Sequence, residues 1–313
     1  MDKMIRSLHH VTATVNDAQD DLNFYSGLLG QRLVKKTVNF DNPFVYHFYY
    51  GNEAGTPGTI MTTFPYKGMG VRVGTRGFGQ INLTSFSVPA ASLGFWRARL
   101  REAKVAFVDQ RSPFGEETLS FADTSDLRIR IVGAANDDRP PWTGEGIAAE
   151  NAVRGIHSVQ LHARKPSLSV EFLTRMMDAT VVHETNNTTR LAIGAGMPGQ
   201  LVEVVDASDQ PPAVNGLGTV HHVAFAVATS DEQLRMREAL MRVGAQVTEV
   251  RDRQYFTSIY FREPNGILFE IATLPPGFAI DEPLDSLGRA LKLPPWEEPR
   301  RAEIEARLPD VMY

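Results

Sequence analysis

Four segments of this 313-residue chain repeat one outline, a short alternating strand, a turn, an amphipathic helix and further strands. They open with Leu-His-His-Val-Thr-Ala-Thr-Val at Leu8, Ile-Asn-Leu-Thr-Ser-Phe-Ser-Val at Ile81, Ile-His-Ser-Val-Gln-Leu-His-Ala at Ile156 and Val-His-His-Val-Ala-Phe-Ala-Val at Val220. The starts lie about 65–75 residues apart, too far for a solenoid repeat and long enough for a strand–helix–strands unit. Such a chain is expected to be α+β, built from four copies of one small module.

The helices follow from apolar spacing. Leu22, Tyr25 and Leu29 mark the first, with Gly30 as its stop. Leu93, Trp96 and Leu100 mark the second. Leu168, Phe172 and Met176 mark the third, after Ser167 as a cap. The fourth carries Met236, Leu240 and Val243 behind a capping-box pattern of Ser230 and Gln233. Module four then returns to strands at Tyr255–Arg262 and Ile267–Thr273, around a Pro264-Asn265-Gly266 turn. Asn-Asp-Asp-Arg-Pro-Pro and Gly-Glu-Gly make the middle read as a linker. The expected division is therefore 1–133 as an N-terminal pair of modules, 134–153 as linker, 154–275 as a C-terminal pair, and 276–313 as a tail. A short helix is expected near Glu303.

Composition narrows the chemistry. There is no cysteine and there are eight histidines, so thiolate zinc sites, iron–sulfur clusters and cysteine nucleophiles are excluded. A metal must use histidine or oxygen ligands. A net charge of −5 argues against a nucleic-acid partner. The amino-terminal residues lack the apolar stretch of a signal peptide, and no apolar run reaches the ~18 residues of a membrane span. The expected location is cytoplasmic, away from membranes. Gly194-Ala-Gly-Met-Pro-Gly199 satisfies G-x-G-x-x-G but precedes a strand, so it reads as a turn.

Strand parity points to the site. Side chains alternate along a strand. His10, Thr12 and Thr14 share a small, polar face, whereas His9, Val11, Ala13 and Val15 share an apolar one. His222 and His221 divide in the same way in module four. Glu270 lies in the apolar strand Ile267–Thr273, where a carboxylate needs a partner: an arginine such as Arg253 or Arg262, or a metal. Aligning the last strands puts Thr62, Arg130 and Glu203 opposite Glu270; aligning the first puts Leu83 and His157 opposite His10 and His222. His47, His162 and His183 lack partners at ligand spacing and read as structural or surface residues. The aromatic stretches Phe44–Tyr50 and Tyr255–Tyr260 read as core or as a pocket wall.

These residues resemble the vicinal oxygen chelate superfamily of glyoxalase I, extradiol dioxygenases and fosfomycin-resistance enzymes. The likeness is greatest to its hydroquinone (para-diol) ring-cleaving dioxygenases. It rests on Ser7-Leu-His-His-Val-Thr, Gly55-Thr-Pro-Gly-Thr-Ile-Met-Thr-Thr-Phe-Pro, Val220-His-His-Val-Ala-Phe-Ala-Val, Phe269-Glu and Ser286-Leu-Gly-Arg-Ala-Leu-Lys-Leu. The resemblance implies βαβββ modules joined into two cup-shaped open β-barrels. It also implies an Fe(II) site of His10, His222 and Glu270, with Mn(II) as the other candidate and O2 as co-substrate. His9, His221, Arg253 and Tyr260 would surround a small aromatic substrate. Related proteins often pair, so a homo-oligomer stays open. Catechol-type enzymes would use His157 in place of His10. A glyoxalase-type isomerase would need a carboxylate at Thr62, and a metal-free binding protein of the same fold would have lost the ligands.

Overall fold

The computed structural model describes residues 4–144 and 146–313. Module one comprises β1 (Leu8–Val15), α1 (Ala18–Leu22), β2 (Arg32–Asn39), β3 (Asn42–Gly51) and β4 (Ile60–Pro65). Module two comprises β5 (Gln80–Pro89), α2 (Leu93–Glu102), β6 (Val108–Arg111), β7 (Glu117–Ala122) and β8 (Arg128–Ala134). Module three comprises β9 (Gly155–Ala163), α3 (Pro166–Met176), β10 (Thr180–Glu184), β11 (Thr188–Ala192) and β12 (Leu201–Asp206). Module four comprises β13 (Thr219–Val227), α4 (Ser230–Arg242), β14 (Arg251–Asp252), β15 (Thr257–Arg262) and β16 (Leu268–Thr273). In the tail, α5 (Arg301–Glu305) is the expected helix, anchored by buried Ile304. No described helix is long and apolar enough to cross a membrane.

Two eight-stranded sheets curl into two cups. One runs β14-β15-β16-β13-β1-β4-β3-β2 and the other β10-β11-β12-β9-β5-β8-β7-β6. Modules one and four therefore share a cup, and modules two and three share the other. The two halves expected at 1–133 and 154–275 are not units in space; each contributes one module to each cup. The connectors explain this. Val73 and Leu217, Thr75 and Val214, and Phe78 and Pro212 form bridges between the segments that lead out of module one and into module four. They run so close that a Cβ on Gly77 would sit 2.0 Å from the Pro211 carbonyl oxygen. Two connectors travelling together carry the chain out to one complete cup and back. After Ala134 closes β8, the stretch to 153 holds no helix or strand among its described residues. From it, Arg139 donates to the Gly58 and Ile156 carbonyls at 2.8 and 2.9 Å, tying the cups together.

The helices differ from expectation in their ends. Leu22, Tyr25 and Leu29 are all buried, but α1 passes into a π-helical turn at Asn23–Leu28. In α3 the cap position is Lys165 and Pro166 opens the first turn, so Ser167 lies inside the helix. Its buried face is Ser169, Phe172 and Leu173, and Leu168 is 38% exposed. In α4 the cap is Thr229, accepting from Glu232 N, while the Glu232 carboxylate accepts from Ala228 N. The capping box thus lies one residue early. Gln233 is instead buried, donating to the Thr257 and Ile271 carbonyls and pinning α4 to its sheet. Val243 is left exposed beyond the helix end.

Candidate metal centre

At the middle of the first sheet β1 and β13 pair antiparallel, and each carries a bulge. Leu8 faces Phe225 but His10 faces Ala224, and Thr12 faces His222 but Ala13 faces Val220. His9 and His221 are the extra residues. A bulge breaks simple alternation and re-aims its side chains, so both stand beside the following histidine instead of pointing away. His9 Nδ1 lies 2.9 Å from His10 Nδ1, and His221 Nδ1 lies 2.7 Å from His222 Nδ1. The parallel neighbour β16 places Glu270 beside Ala224 of β13, and β15 sets Tyr260 opposite Glu270.

The three candidate ligands converge. His10 Nε2 and His222 Nε2 are 3.3 Å apart, and Glu270 Oε2 is 2.8 Å from His222 Nε2 and 3.4 Å from His10 Nε2. All three residues are buried. Glu270 Oε1 accepts from Ser258 Oγ, whereas Oε2 is buried without a well-formed hydrogen bond. A dehydrated carboxylate oxygen flanked by two imidazole nitrogens is costly unless a cation completes it, and this donor set suits a divalent first-row metal. Burial pushes Glu270 up, but His10 and His222 beside it outweigh that and hold its carboxyl well below the usual range. Burial lowers His222 against the opposing pull of Glu270, and it lowers His9 and His221 to about 3, so His9 and His221 are neutral. A neutral ring that offers Nε2 to a metal carries its proton on Nδ1. His10 and His222 then donate to His9 and His221, which fixes the ligand rings.

The ligands form the floor of a cavity of about 270 Å³. Its walls include Phe64, Tyr66 and Phe256, with Asp41 at the exposed mouth. Arg253 Nε donates to the Tyr260 hydroxyl at 3.0 Å and its other arm to Asp41 at 3.2 Å. The charge of Arg253 is reinforced despite its burial by Tyr260 and Asp41. The stretch Phe44–Tyr50, expected as core or as a pocket wall, supplies two lining residues. Tyr49 on β3 faces Thr62 as Tyr260 faces Glu270, making it the pseudo-twofold mate of Tyr260. His47, expected to be structural or surface, also lines the cavity. The signal available was the repeat itself, since module one supplies a wall matching that of module four.

The second cup fills the same positions with a different set of residues. Its central strands carry bulges at Asn82 and His157. His157 therefore matches His221, not His222, and the position of His222 is taken by Ser158, which receives His157 Nδ1 at 3.2 Å. The expected alignment of His157 with His222 is off by one because the bulge cannot be read from residue spacing. Leu83 and Glu203 match His10 and Glu270. Arg190 holds Glu203 at 2.7 Å and Glu116 in a two-pronged pair at 2.6 and 2.8 Å. No ligand trio forms there among the described residues. His162 is bonded to Gln160 and Gln210, and His183 packs edge-on against Phe114.

Comparison with known proteins agrees with this architecture. Residues 7–131 and 155–271 match the family model of the glyoxalase/bleomycin resistance protein/dioxygenase superfamily, and the chain belongs to that superfamily. MhqE of Bacillus subtilis (strain 168), named as a ring-cleaving dioxygenase, is 45% identical over 97% of this chain and 98% of its own. The chlorohydroquinone/hydroquinone 1,2-dioxygenase of Sphingobium indicum is 34% identical over 96% and 95%. A crystal structure of a Bacillus subtilis dioxygenase superposes with a TM-score of 0.94 at 38% identity, covering 99% of this chain and 98% of that one. Glyoxalase I from Zea mays, at 11% identity and a TM-score of 0.64 over 85% and 92%, shares the fold. Within the superfamily the chain thus groups, over nearly its full length, with the ring-cleaving dioxygenases, and it is an oxidoreductase of that kind.

Proposed function

We propose that this enzyme uses Fe(II), held by His10, His222 and Glu270, to open the ring of a hydroquinone-type diol with O2. Both oxygen atoms would enter across a ring bond beside a hydroxyl-bearing carbon. The observation that carries the reading is the buried His–His–Glu trio, with its incomplete carboxylate, at the floor of an aromatic-walled cavity. The name of the Sphingobium indicum relative supports a hydroquinone over a catechol. Mn(II) suits the same donors. When bound, the metal supplies open positions where a substrate oxygen and O2 meet and a route for electrons between them.

The remaining roles belong to the chain's own groups. His9 and His221 hold the ligand rings through their Nδ1 atoms. A proton on the His222 Nδ1 leaves His221 with its own on Nε2, a donor at the cavity. The Tyr260 hydroxyl accepts from Arg253 Nε and keeps its hydrogen to give to a developing oxyanion. The substrate meets the enzyme in the cytoplasm on this reading, and a homo-oligomer is compatible with it. An isomerase of glyoxalase type fits less well: the position opposite Glu270 is Thr62, which hydrogen-bonds Thr12 and His47 and offers no carboxylate base.

Oxygen uptake by protein loaded anaerobically with iron tests the proposal, with hydroquinone, methylhydroquinone, chlorohydroquinone and catechol as substrates. Uptake with the hydroquinones and one iron per chain is expected. Uptake with catechol alone overturns the para-diol assignment, and absence of bound iron overturns the metal assignment.

A further inference from the structure

His47 stands on β3, two residues before Tyr49, and so on the same face. Its Nε2 lies 2.9 Å from Thr62 Oγ1, and Thr62 Oγ1 donates to Thr12 Oγ1 at 2.9 Å. Thr62 and Thr12 are fully buried. The direction of the hydrogen bonds fixes the tautomer. Thr62 spends its only hydrogen on Thr12 and must accept from His47, so the proton of His47 is on Nε2. Its Nδ1 is then a bare lone pair, with no hydrogen-bond partner among the described residues. The ring cannot swing away, because Tyr49 and Phe64 lie against it at centroid distances of 4.0 and 4.3 Å. Burial also lowers its basicity well below the ordinary value, and His10 and Arg253 add to this.

The pseudo-twofold axis of the cup gives the position meaning. Thr62 mirrors Glu270, and His47 mirrors Ser258, which donates to Glu270. The wall that supplies a metal ligand on one side thus supplies a fixed acceptor on the other. The nearby acceptors differ from His47 in being bonded already or in lying at the exposed mouth. Asn39 Oδ1 receives Asp41 N, Tyr66 receives Asn39 Nδ2, and Asp41 receives Arg253. The hydroxyls of Thr14 and Tyr49 can donate as well as accept; His47 Nδ1 can only accept.

We infer that His47 is a specificity-determining residue, its Nδ1 receiving the hydrogen of the substrate hydroxyl that is not bound to the metal. The inference rests on the para-diol reading and sharpens it. A catechol presents both oxygens at the metal, whereas a hydroquinone sends one a ring's width away, and that remote hydroxyl needs an acceptor on the cavity wall.

The test is anaerobic binding of hydroquinone, phenol and 4-methoxyphenol to the iron-loaded wild type and to His47→Ala and His47→Asn, with catechol binding to the wild type as the reference. Phenol lacks the remote group, and in 4-methoxyphenol that oxygen has no hydrogen to give. His47→Ala is expected to weaken hydroquinone about tenfold, the effect of one neutral hydrogen bond. Phenol should change less than about twofold on the same scale. His47→Asn, with an amide oxygen as acceptor, should restore part of the preference. Iron content and circular dichroism should match the wild type. Equal weakening of all three ligands in His47→Ala would overturn the inference, because His47 would then only shape the wall. If the wild type prefers catechol and binds none of the three, the para-diol reading itself fails, and this assignment with it.

Discussion

Lys35 offers a direct test of what holds the tail against the cup of modules one and four. It lies on β2 with 0% of its surface exposed. Its ammonium is 2.6 Å from Asp281 Oδ1 and 2.5 Å from Glu282 Oε2, both in the tail. The Tyr255 ring lies 5.0 Å away, and its hydroxyl donates to Asp281 at 3.0 Å. Glu282 is also buried, and its remaining contacts to Gly288 N and Ala290 N are long, at 3.4 and 3.3 Å. Lys35→Met keeps the aliphatic stem and removes the charge, leaving Glu282 buried without a cation. Breaking one side of such a pair costs about 3–5 kcal/mol. At ~2–4 °C per kcal/mol, the melting temperature should fall by roughly 6–20 °C. The tail also carries Phe278, packed on Tyr49 and Tyr255 at 5.0 Å each, and Tyr49 lines the cavity. Lys35→Met should therefore expose the tail to limited proteolysis and weaken hydroquinone binding. Lys35→Met with Glu282→Gln should recover part of the stability, since the stranded charge is gone. A melting temperature within about 2 °C of wild type, with unchanged proteolysis of the tail, would refute the reasoning.

Three further outcomes follow from the same geometry. Bound-metal analysis should find that His10→Ala loses iron and His157→Ala retains it, because His157 occupies the bulge position of the second cup; the reverse result would move the site. Burial pushes the Asp21 carboxyl up to about 8, although Thr63 and Tyr50 donate to it, from an ordinary value of 3.8. Between those values the folded protein holds a proton that the unfolded chain releases, so this contribution is full below about pH 4 and is lost as pH rises towards 8. Buried Asp123, raised to about 6, acts in the same direction. Urea unfolding between pH 5 and 8.5 should show Asp21→Asn declining less with pH than wild type, and parallel curves would contradict the assignment. Arg190→Met leaves Glu203 with only the longer 3.5 Å pair to Arg130 and strips Glu116 of its two-pronged partner, so a stability loss of up to about 3 kcal/mol is expected with iron content unchanged; loss of iron would show that the cups are not independent in metal binding.

What the sequence carried well was anything periodic. Four modules, the apolar helix faces of modules one and two, and the slots Thr62, Arg130, Glu203 and Glu270 all follow from spacing, and the strand register places those slots as aligned. What it could not carry was any feature that breaks a period or joins distant segments. Parity sends His9 and His221 to the far face, yet a single inserted residue on each central strand brings each beside its neighbouring histidine. The same insertion shifts His157 out of line with His222. The pairing of module one with module four is equally invisible locally, because each first strand has the same alternating pattern and would satisfy any of the others. That choice is made by backbone contacts between connectors more than 130 residues apart in the chain, such as Leu217 with Arg72 and Thr75 with Val214. His47 was missed for a related reason. A lone histidine on a strand has no spacing to announce it, and its meaning comes only from Thr62, which stands where the mirrored module holds its carboxylate. Doubling one module to make a cup therefore leaves two kinds of signature. Residues that both halves share are legible by repetition, and residues in which the halves differ acquire a role only when the fold sets them face to face.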